Sequence, residues 1–358
     1  MEAAEYDLIV AGAGPAGSAC AITAARAGAH VLLLEKDRFP RHKVCGEFVS
    51  SESLDLLDGL LGKTKLSAHM LVNSARFFVD GKRLSLPVSP AAQSIPRYEL
   101  DAALFQAAQS AGAITREGIT IHEVKSKAVF QVTTSENSLT AKAVVNTTGR
   151  WSKLTQFDVS GKEKCLGLKA HFSESSPPSS VDLYFFPGGY CGVTPVDGNS
   201  VNACAMVRAD VARSLEEVFA QEPELRRRSQ SWRALFPDVT TSPLYFREPE
   251  TEANGMMLAG DAAGFIDPFA GDGISLALQS GVLAAKTILP FLAGKCSWEQ
   301  TLDEYRTSYH RRFVPAFRNA ARLRTAFAGP RWARTTAFAL ASMPGVGRML
   351  MKRTRARS

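Results

Sequence analysis

The six cysteines, at 20, 45, 165, 191, 204 and 296, form no CxxC pair and show no metal-ligand spacing. That pattern excludes a disulfide framework and a zinc site, so no metal is expected and reduced thiols in a cytoplasm are the natural reading. No apolar run reaches the length needed to span a bilayer, and MEAAEYDLIV places acidic residues where a signal peptide would carry basic ones. The expectation is a protein that is soluble or at most peripheral to a membrane. Internal repeats, low-complexity segments and a second G-x-G-x-x-G are all missing. Nor does the net charge of +7, from 42 basic against 35 acidic side chains, imply a nucleic-acid partner. Its excess gathers near the C-terminus, in Arg311, Arg312, Arg318, Arg322, Arg324, Arg331, Arg334, Arg348, Lys352, Arg353, Arg355 and Arg357, and leaves the body near neutral.

What is present is apolar residue enough, 45% of 358, to bury a core larger than one lobe holds, so two lobes are expected. DLIVAG is a short buried-strand run, followed by glycines and then by the Ala-rich stretch from Ala16 to Ala27; Gly28 stops that helix and HVLLLEK supplies a second strand. Strand, turn, helix and strand make one right-handed βαβ crossover. SSESLDLLDGLL reads as a helix capped by Ser50 or Ser51, RFFVDGKRLSL as a hairpin turning on Asp80-Gly81, and Tyr98 to Ala111 as a helix. Strand-like segments from ITIHEV to SVNACAMV give the middle third the character of a mostly antiparallel sheet, with SESSPPSS, residues 173 to 180, as an exposed loop. Helices at roughly 211 to 221 and 224 to 235, the strand GMMLAGD, a helix from Gly273 to about Leu292 and a helical C-terminal region follow. The last residues, KRTRARS, are expected to be disordered.

GAGPAG at 12 to 17 fits G-x-G-x-x-G: Gly12 permits the tight turn, Gly14 lets the backbone approach a pyrophosphate, and Gly17 lets helix and strand pack closely. The helix N-terminus, with Pro15 and Ala16, offers its free N–H groups to the phosphates. Glu35 closes the second strand, where a carboxylate accepts hydrogen bonds from a ribose. A second signal, MMLAGDAAGFIDPFAGDGISLAL at 256 to 278, puts Asp261 after a buried strand and a Gly271-x-Gly273 turn at a helix start, suited to a ribityl chain and a flavin edge.

With these motifs and the R-x-x-L-D segment from Arg97 to Asp101, the chain resembles the FAD-dependent monooxygenase and reductase superfamily, which includes aromatic hydroxylases, geranylgeranyl reductases and flavin-dependent halogenases. The resemblance covers most of residues 1 to 295. It implies noncovalent FAD, with Arg97 at the phosphate or ribityl region, Asp261 at the ribityl chain and Gly271 to Ile274 at the isoalloxazine. The implied contact set is Gly12, Gly14, Pro15, Ala16, Gly17, Glu35, Lys36, Cys45, Gly46, Arg97, Gly149, Gly260, Asp261, Pro268, Gly271, Gly273 and Ile274. For Arg97 a solvent-exposed place at a helix start is the equal alternative.

RFPRHKVCGEFVS, residues 38 to 50, resembles the P-x-x-K-x-C-G segment of geranylgeranyl reductases and, in related form, of halogenases. Cys45 is then a proton donor or a wall of the cavity, and Glu47 a general acid; the alternative is a packed Cys45 and a solvated Glu47. Halogenases need a lysine in a tunnel and a paired-Trp motif. GGYCGVTPV at 188 to 196 has no Trp, although FIDP resembles the halogenase form; Y-x-W-x-F-P of the reductases is matched there only by Tyr190 and Pro195. Thr148 stands where aromatic hydroxylases carry an Asp associated with both FAD and NADPH; the Gly149 turn keeps the FAD contact, direct NADPH use loses its support, and the expected external reductant is NAD(P)H or a reduced partner protein.

The expected fold class is α/β, a Rossmann-type FAD-binding βαβ domain with an inserted, mostly antiparallel β substrate domain and C-terminal helices. The expected division is 1–73, 97–160 and 253–297 for FAD, 74–96 and 161–252 for substrate, and 298–358 for the helical end. The expected activity is double-bond reduction of a lipophilic or aromatic small molecule, as in geranylgeranyl reductases; hydroxylation is the alternative, and a halogenase or a non-catalytic flavin-binding protein stands behind both. The basic C-terminal region, with Phe313, Phe317, Trp332, Phe338 and Met349 among its apolar residues, suits either an anionic membrane surface or a carrier protein, against a packed helix with a solvated basic face.

Overall fold

The computed structural model describes residues 4–66, 69–150, 154–155, 164–328, 331–343 and 345–353. Strand β1 (Tyr6–Ala11) is an apolar run buried on both faces and leads into α1 (Pro15–Arg26) and β2 (Val31–Glu35), which lies parallel to β1 with Leu8 opposite Val31. Gly14 caps α1 without any side-chain hydrogen bond, so the first-turn N–H groups stay open to a ligand. A Cβ on Gly17 would lie 1.8 Å from the Gly12 carbonyl oxygen, which is why helix and turn close only around glycine there.

After β3 (Phe48–Val49) and α2 (Leu54–Leu61), a hairpin of β4 (Met70–Val79) and β5 (Lys82–Ser94) turns on Asp80 and Gly81, both in the left-handed region at φ 48° and 78°. Helix α3 (Arg97–Ser110) precedes β6 (Ile114–Glu117), β7 (Ile121–Ser126), β8 (Phe130–Thr134) and β9 (Ser138–Asn146). Then come β10 (Cys165–Ser173), β11 (Ser180–Phe186), β12 (Gly189–Asp197) and β13 (Ser200–Arg208), followed by α4 (Leu215–Ala220), α5 (Pro223–Arg228) and β14 (Val239–Leu244). Strands β15 (Glu252–Ala253) and β16 (Met256–Leu258) lead to α6 (Gly273–Leu292), α7 (Trp298–Ala328), α8 (Arg331–Ala341) and α9 (Val346–Arg353).

The first sheet runs β15-β16-β9-β1-β2-β6, with β7 and β8 as an antiparallel arm on β9. Because β1, β2, β9 and β16 are parallel, their carboxyl ends, at Ala11, Glu35, Asn146 and Leu258, meet along one edge. Ligands of open α/β sheets bind at that edge. The second sheet runs β14-β10-β13-β12-β11-β4-β5-β3 and is antiparallel except between β11 and β4. Its first long strand starts at Met70, ahead of the boundary expected at 74, and β3 joins it from the flavin-side loop.

Four expectations change. Helix α6 is long and apolar enough to cross a membrane, against the reading that no run is; it is 61% buried here and packs on α1, with Gly281 so close that a Cβ would meet the Ala16 oxygen at 2.0 Å. Ser50 and Ser51 do not cap α2 with their hydroxyls, because the Ser50 hydroxyl instead meets Asp272 at 3.1 Å and Ser275 at 2.8 Å. In SESSPPSS, Pro177 and Ser180 are buried and Glu174 is bound by Arg228 at 3.0 Å, so only Ser175, Ser176 and Ser179 are exposed. Of KRTRARS, Lys352 and Arg353 end α9, and 354–358 lie outside the described residues.

The C-terminal helices rest on the second sheet, where Phe327 and Phe338 join Leu183, Phe185, Tyr190 and Leu244 in one apolar cluster. Arg334, buried in α8, binds Asp80 of the hairpin turn through Nη2 at 2.7 Å.

Candidate active site

At the parallel-sheet edge, Gly12 adopts φ 96° beside β9, and a Cβ there would press on the Thr147 oxygen at 2.8 Å. A Cβ on Gly14 would meet nothing nearer than Arg97 Nη2, at 4.0 Å. Glu35 is buried; its Oε2 accepts from the Ala13 N–H at 2.9 Å and from Arg41 Nη2 at 3.1 Å, and its Oε1 from the Asp37 N–H at 3.1 Å. Lys36 is exposed at the same corner.

Arg97 is not the solvated helix-start residue of the alternative reading. Its guanidinium holds the fully buried Asp101 through Nε on Oδ1 at 2.7 Å and Nη2 on Oδ2 at 2.8 Å, and Arg41 Nη1 also donates to Oδ2, at 2.8 Å. Burial alone would favour the neutral guanidine, but Asp101 outweighs it and raises the Arg97 pKa. A fixed positive charge therefore stands beside the Gly14 turn, suited to a phosphate.

The loop carrying Cys45, Gly46 and Glu47 is pinned at each residue. Asn202 donates to the Cys45 oxygen at 3.0 Å, Thr194 donates to the Gly46 oxygen at 2.9 Å, and the Glu47 N–H points to the Cys45 sulfur at 3.3 Å. Glu47 itself sits at φ 58°, a left-handed conformation that costs a branched-free side chain roughly 1 kcal/mol or more. What holds it there is a buried charge cluster: the carboxylate takes the Lys169 ammonium on Oε1, together with the Arg97 N–H at 2.9 Å, and His171 Nε2 on Oε2 at 2.8 Å.

That cluster corrects the expectation for Glu47. Burial alone would raise its pKa, yet Lys169 and then His171 outweigh burial and hold it down to about 2. An anion has no proton to give near neutrality, and the residue is wholly buried rather than solvated. Glu47 fixes the loop.

On the far side, Gly260 (φ 61°) and Gly271 (φ 66°) bend the chain around the cavity, and Pro268, Gly273 and Ile274 line it with Gly149. Asp261 is partly exposed and binds Arg150 Nη1 at 3.0 Å, while the Arg150 guanidinium stacks 4.0 Å over Phe265. Burial lowers the Arg150 pKa against the pull of Asp261. Asp267 is fully buried; burial pushes its carboxyl up to about 7, moderated by Arg324 at 3.7 Å and by the Phe269 N–H, with the Tyr190 hydroxyl at 3.3 Å. Arg150, Asp267, Tyr190, Lys169 and His171 were not singled out as site residues from sequence.

The Gly12–Ala16 turn, Glu35, Arg97, the Cys45–Glu47 loop, Arg150 and Tyr190 line one cavity of about 880 Å³. Its polar end holds the Gly12–Gly17 turn, Glu35 and Arg97; its other end is walled by Phe77, Leu84, Leu183, Phe327, Phe338 and Leu350. The donor set fits a flavin dinucleotide: an uncapped helix start and an arginine for the pyrophosphate, a carboxylate for a ribose, and glycine bends beside a flat ring. Arg150 lines the same cavity, and a Cβ on Gly14 would meet nothing nearer than 4.0 Å, which leaves room for a phosphate against the backbone of the turn.

The FAD binding domain family model matches residues 5–320. The chain is 23% identical over 334 residues to the 1H-pyrrole-2-carbonyl-(peptidyl-carrier protein) brominase of Pseudoalteromonas luteoviolacea, covering 84% of this chain and 81% of the brominase. It is 27% identical over 316 residues to the menaquinone reductase of Mycobacterium tuberculosis, covering 79% and 76%. Its fold matches a geranylgeranyl bacteriochlorophyll reductase-like structure from Thermoplasma acidophilum with a TM-score of 0.81 at 21% identity, over 98% of this chain and 95% of that one. Similarity thus extends to reductases and to a brominase alike. The family model spans the dinucleotide turn, both sheets and most of α7, and the chain belongs to the FAD binding domain family as an FAD-dependent oxidoreductase.

Proposed function

We propose that this oxidoreductase reduces a double bond of a lipophilic substrate, as geranylgeranyl reductases do, with noncovalent FAD and an external reductant. The observation that carries the reading is the apolar end of the cavity, built by Phe77, Leu84, Leu183, Phe327, Phe338 and Leu350. Such a wall buries a hydrocarbon at about 25 cal/mol per Å² and offers a polar aromatic little to bind. The lysines lining the cavity among the described residues are Lys36 and Lys43, at the dinucleotide corner, while Lys169 is spent on Glu47. A halogenase, which needs a lysine in its tunnel, is less well served by that lining.

FAD, once reduced, supplies a hydride. The chain's part is to bind, orient and protonate. Gly12, Gly14, Pro15 and Ala16 with Arg97 would take the pyrophosphate, Gly17 closing the turn behind them; Glu35 and Lys36 would take the ribose; Gly149, Gly260 and Asp261 the ribityl chain; and Pro268, Gly271, Gly273 and Ile274 would border the ring. Cys45 and Gly46 line the cavity from the pinned loop, and the Cys45 thiol would give its proton to the substrate carbon that does not receive hydride, regaining a proton from solvent. One carbon–carbon π bond is lost and two C–H bonds form. Thr148, in the place of the hydroxylase Asp, takes away that support for direct NADPH use and favours a reduced partner protein as the electron donor.

The test is product mass after incubation of the chemically reduced enzyme, without oxygen, with polyprenyl and quinone-class substrates. Addition of two hydrogens supports the reading. Product that forms only with oxygen, carrying an added oxygen or a halogen, rejects it.

A further inference from the structure

The inner sides of α8 and α9 close the apolar end of the cavity: Phe338, Ala341, Gly347 and Leu350 line it. Their outer sides are also apolar. Among the described residues seven large apolar side chains are strongly exposed, and four of these, Trp332 at 72%, Leu340 at 52%, Met343 at 54% and Met349 at 45%, lie on these two helices and the turn between them. Trp332, Leu340 and Met343 follow at helical spacing on the side opposite Arg334 and Phe338, which are buried. A helix that buries one apolar face and exposes another has a partner surface still to meet.

Charge says what kind. Residues 331–358 contain seven Arg and Lys and no Asp or Glu, a surplus equal to the whole net charge of +7, and the rest of the chain carries 35 of each sign. The cations and the exposed apolar residues thus occupy the same short stretch, with a tryptophan among them, as in helices that lie in the interface of an anionic bilayer.

We infer that the outer face of α8 and α9 docks on an anionic lipid bilayer and that the apolar cavity loads its substrate from that bilayer through the wall these helices form. The docking face stands by itself; the loading step rests on the reading of a lipophilic substrate. Trp332, Leu340 and Met349 enter the acyl boundary, and the surrounding arginines meet lipid phosphates. Arg334 stays inside, holding Asp80, so that the helix presents its face from a fixed seat on the hairpin.

The experiment uses the full FAD-loaded chain, phosphatidylcholine vesicles with and without phosphatidylglycerol, and the triple variant Trp332→Ser, Leu340→Ser, Met349→Ser, whose changed side chains lie outside the cavity lining. The wild type is expected to sediment with the anionic vesicles at low salt and to be released as salt is raised. The triple variant should partition at least about tenfold more weakly while keeping its flavin absorbance. Should that variant lose flavin, tryptophan emission serves instead: the wild type shifts to the blue on anionic vesicles, and Trp332→Phe does not. Neither readout needs turnover, so a wrong substrate assignment leaves them unchanged. Wild type that stays in the supernatant at low salt, a variant that binds as tightly as wild type, or a dimer that dissociates on substitution without any vesicle binding each overturns the docking face.

Discussion

His171 Nε2 donates to the Glu47 carboxylate at 2.8 Å, joining β10 of the second sheet to the loop that presents Cys45 to the cavity. Lys169, two residues earlier on the same face of the strand, completes the grip. The position of the Cys45 loop is therefore set by charge buried in the second sheet.

Lys169→Met should strand the Glu47 carboxylate in the core and cost about 3–5 kcal/mol at neutral pH. The pH dependence has a definite sign. With its folded pKa depressed to about 2 from an ordinary 4.5, Glu47 contributes stability that is present above the ordinary value and is lost as pH falls toward 2. Urea unfolding of both proteins at neutral pH and near pH 3 should show the gap narrowing in acid; a gap absent at neutrality contradicts the cluster.

Asp267 should behave in the opposite sense. Its folded pKa, raised by burial to about 7 from an ordinary 3.8, means that the folded state keeps its proton longer, so the contribution of this group to stability falls as pH rises from 4 to 7. In Asp267→Asn that portion of the slope should vanish, leaving a flatter curve of melting temperature against pH. Parallel curves for the two proteins would show that the carboxyl is ionised throughout.

Two glycines separate cofactor binding from folding. Gly14→Ala meets no atom nearer than 4.0 Å, so the variant should fold within about 1 kcal/mol of wild type yet lose flavin absorbance, because its methyl enters the phosphate cradle. Gly17→Ala would set a Cβ 1.8 Å from the Gly12 oxygen and should itself destabilise the protein by about 1–3 kcal/mol or more. Thermal unfolding alongside the visible spectrum distinguishes them, and full flavin content in Gly14→Ala would move the pyrophosphate elsewhere.

Removing the carboxylate in Asp261→Ala should weaken FAD binding by about 1.5–3 kcal/mol, the range for hydrogen bonds to a charged group. Equilibrium dialysis reads it directly, and unchanged affinity takes Asp261 out of the site.

The βαβ unit was legible in sequence because local signals agree there: a buried strand, glycines at the turn and a carboxylate closing the next strand. The hairpin was legible from Asp80-Gly81, two residues that tolerate the left-handed turn. Glu47 was misread because its partners lie 122 and 124 residues away. A signal existed: in CLGLKAHF, Lys169 and His171 alternate inside a buried strand, and charge on the inner face of a strand needs a counter-charge. Ser50 was misread as a cap for the same reason, its true partners being Asp272 and Ser275. Arg150 follows the Thr148-Gly149 turn without a local signal, because its partner Asp261 lies 111 residues away. The apolar stretch of α6 has membrane length, yet its small residues, Gly281 among them, make it a packing surface for α1.

The most direct test of the central claim is the anaerobic reoxidation of the photoreduced enzyme, followed by flavin absorbance after mixing with a polyprenyl or quinone-class substrate. The account predicts that substrate alone returns the oxidised spectrum, and that Cys45→Ala keeps its FAD but slows this return by roughly a hundredfold or more, as loss of a proton donor does. A reduced spectrum that persists with every such substrate and returns only when oxygen is admitted would contradict it.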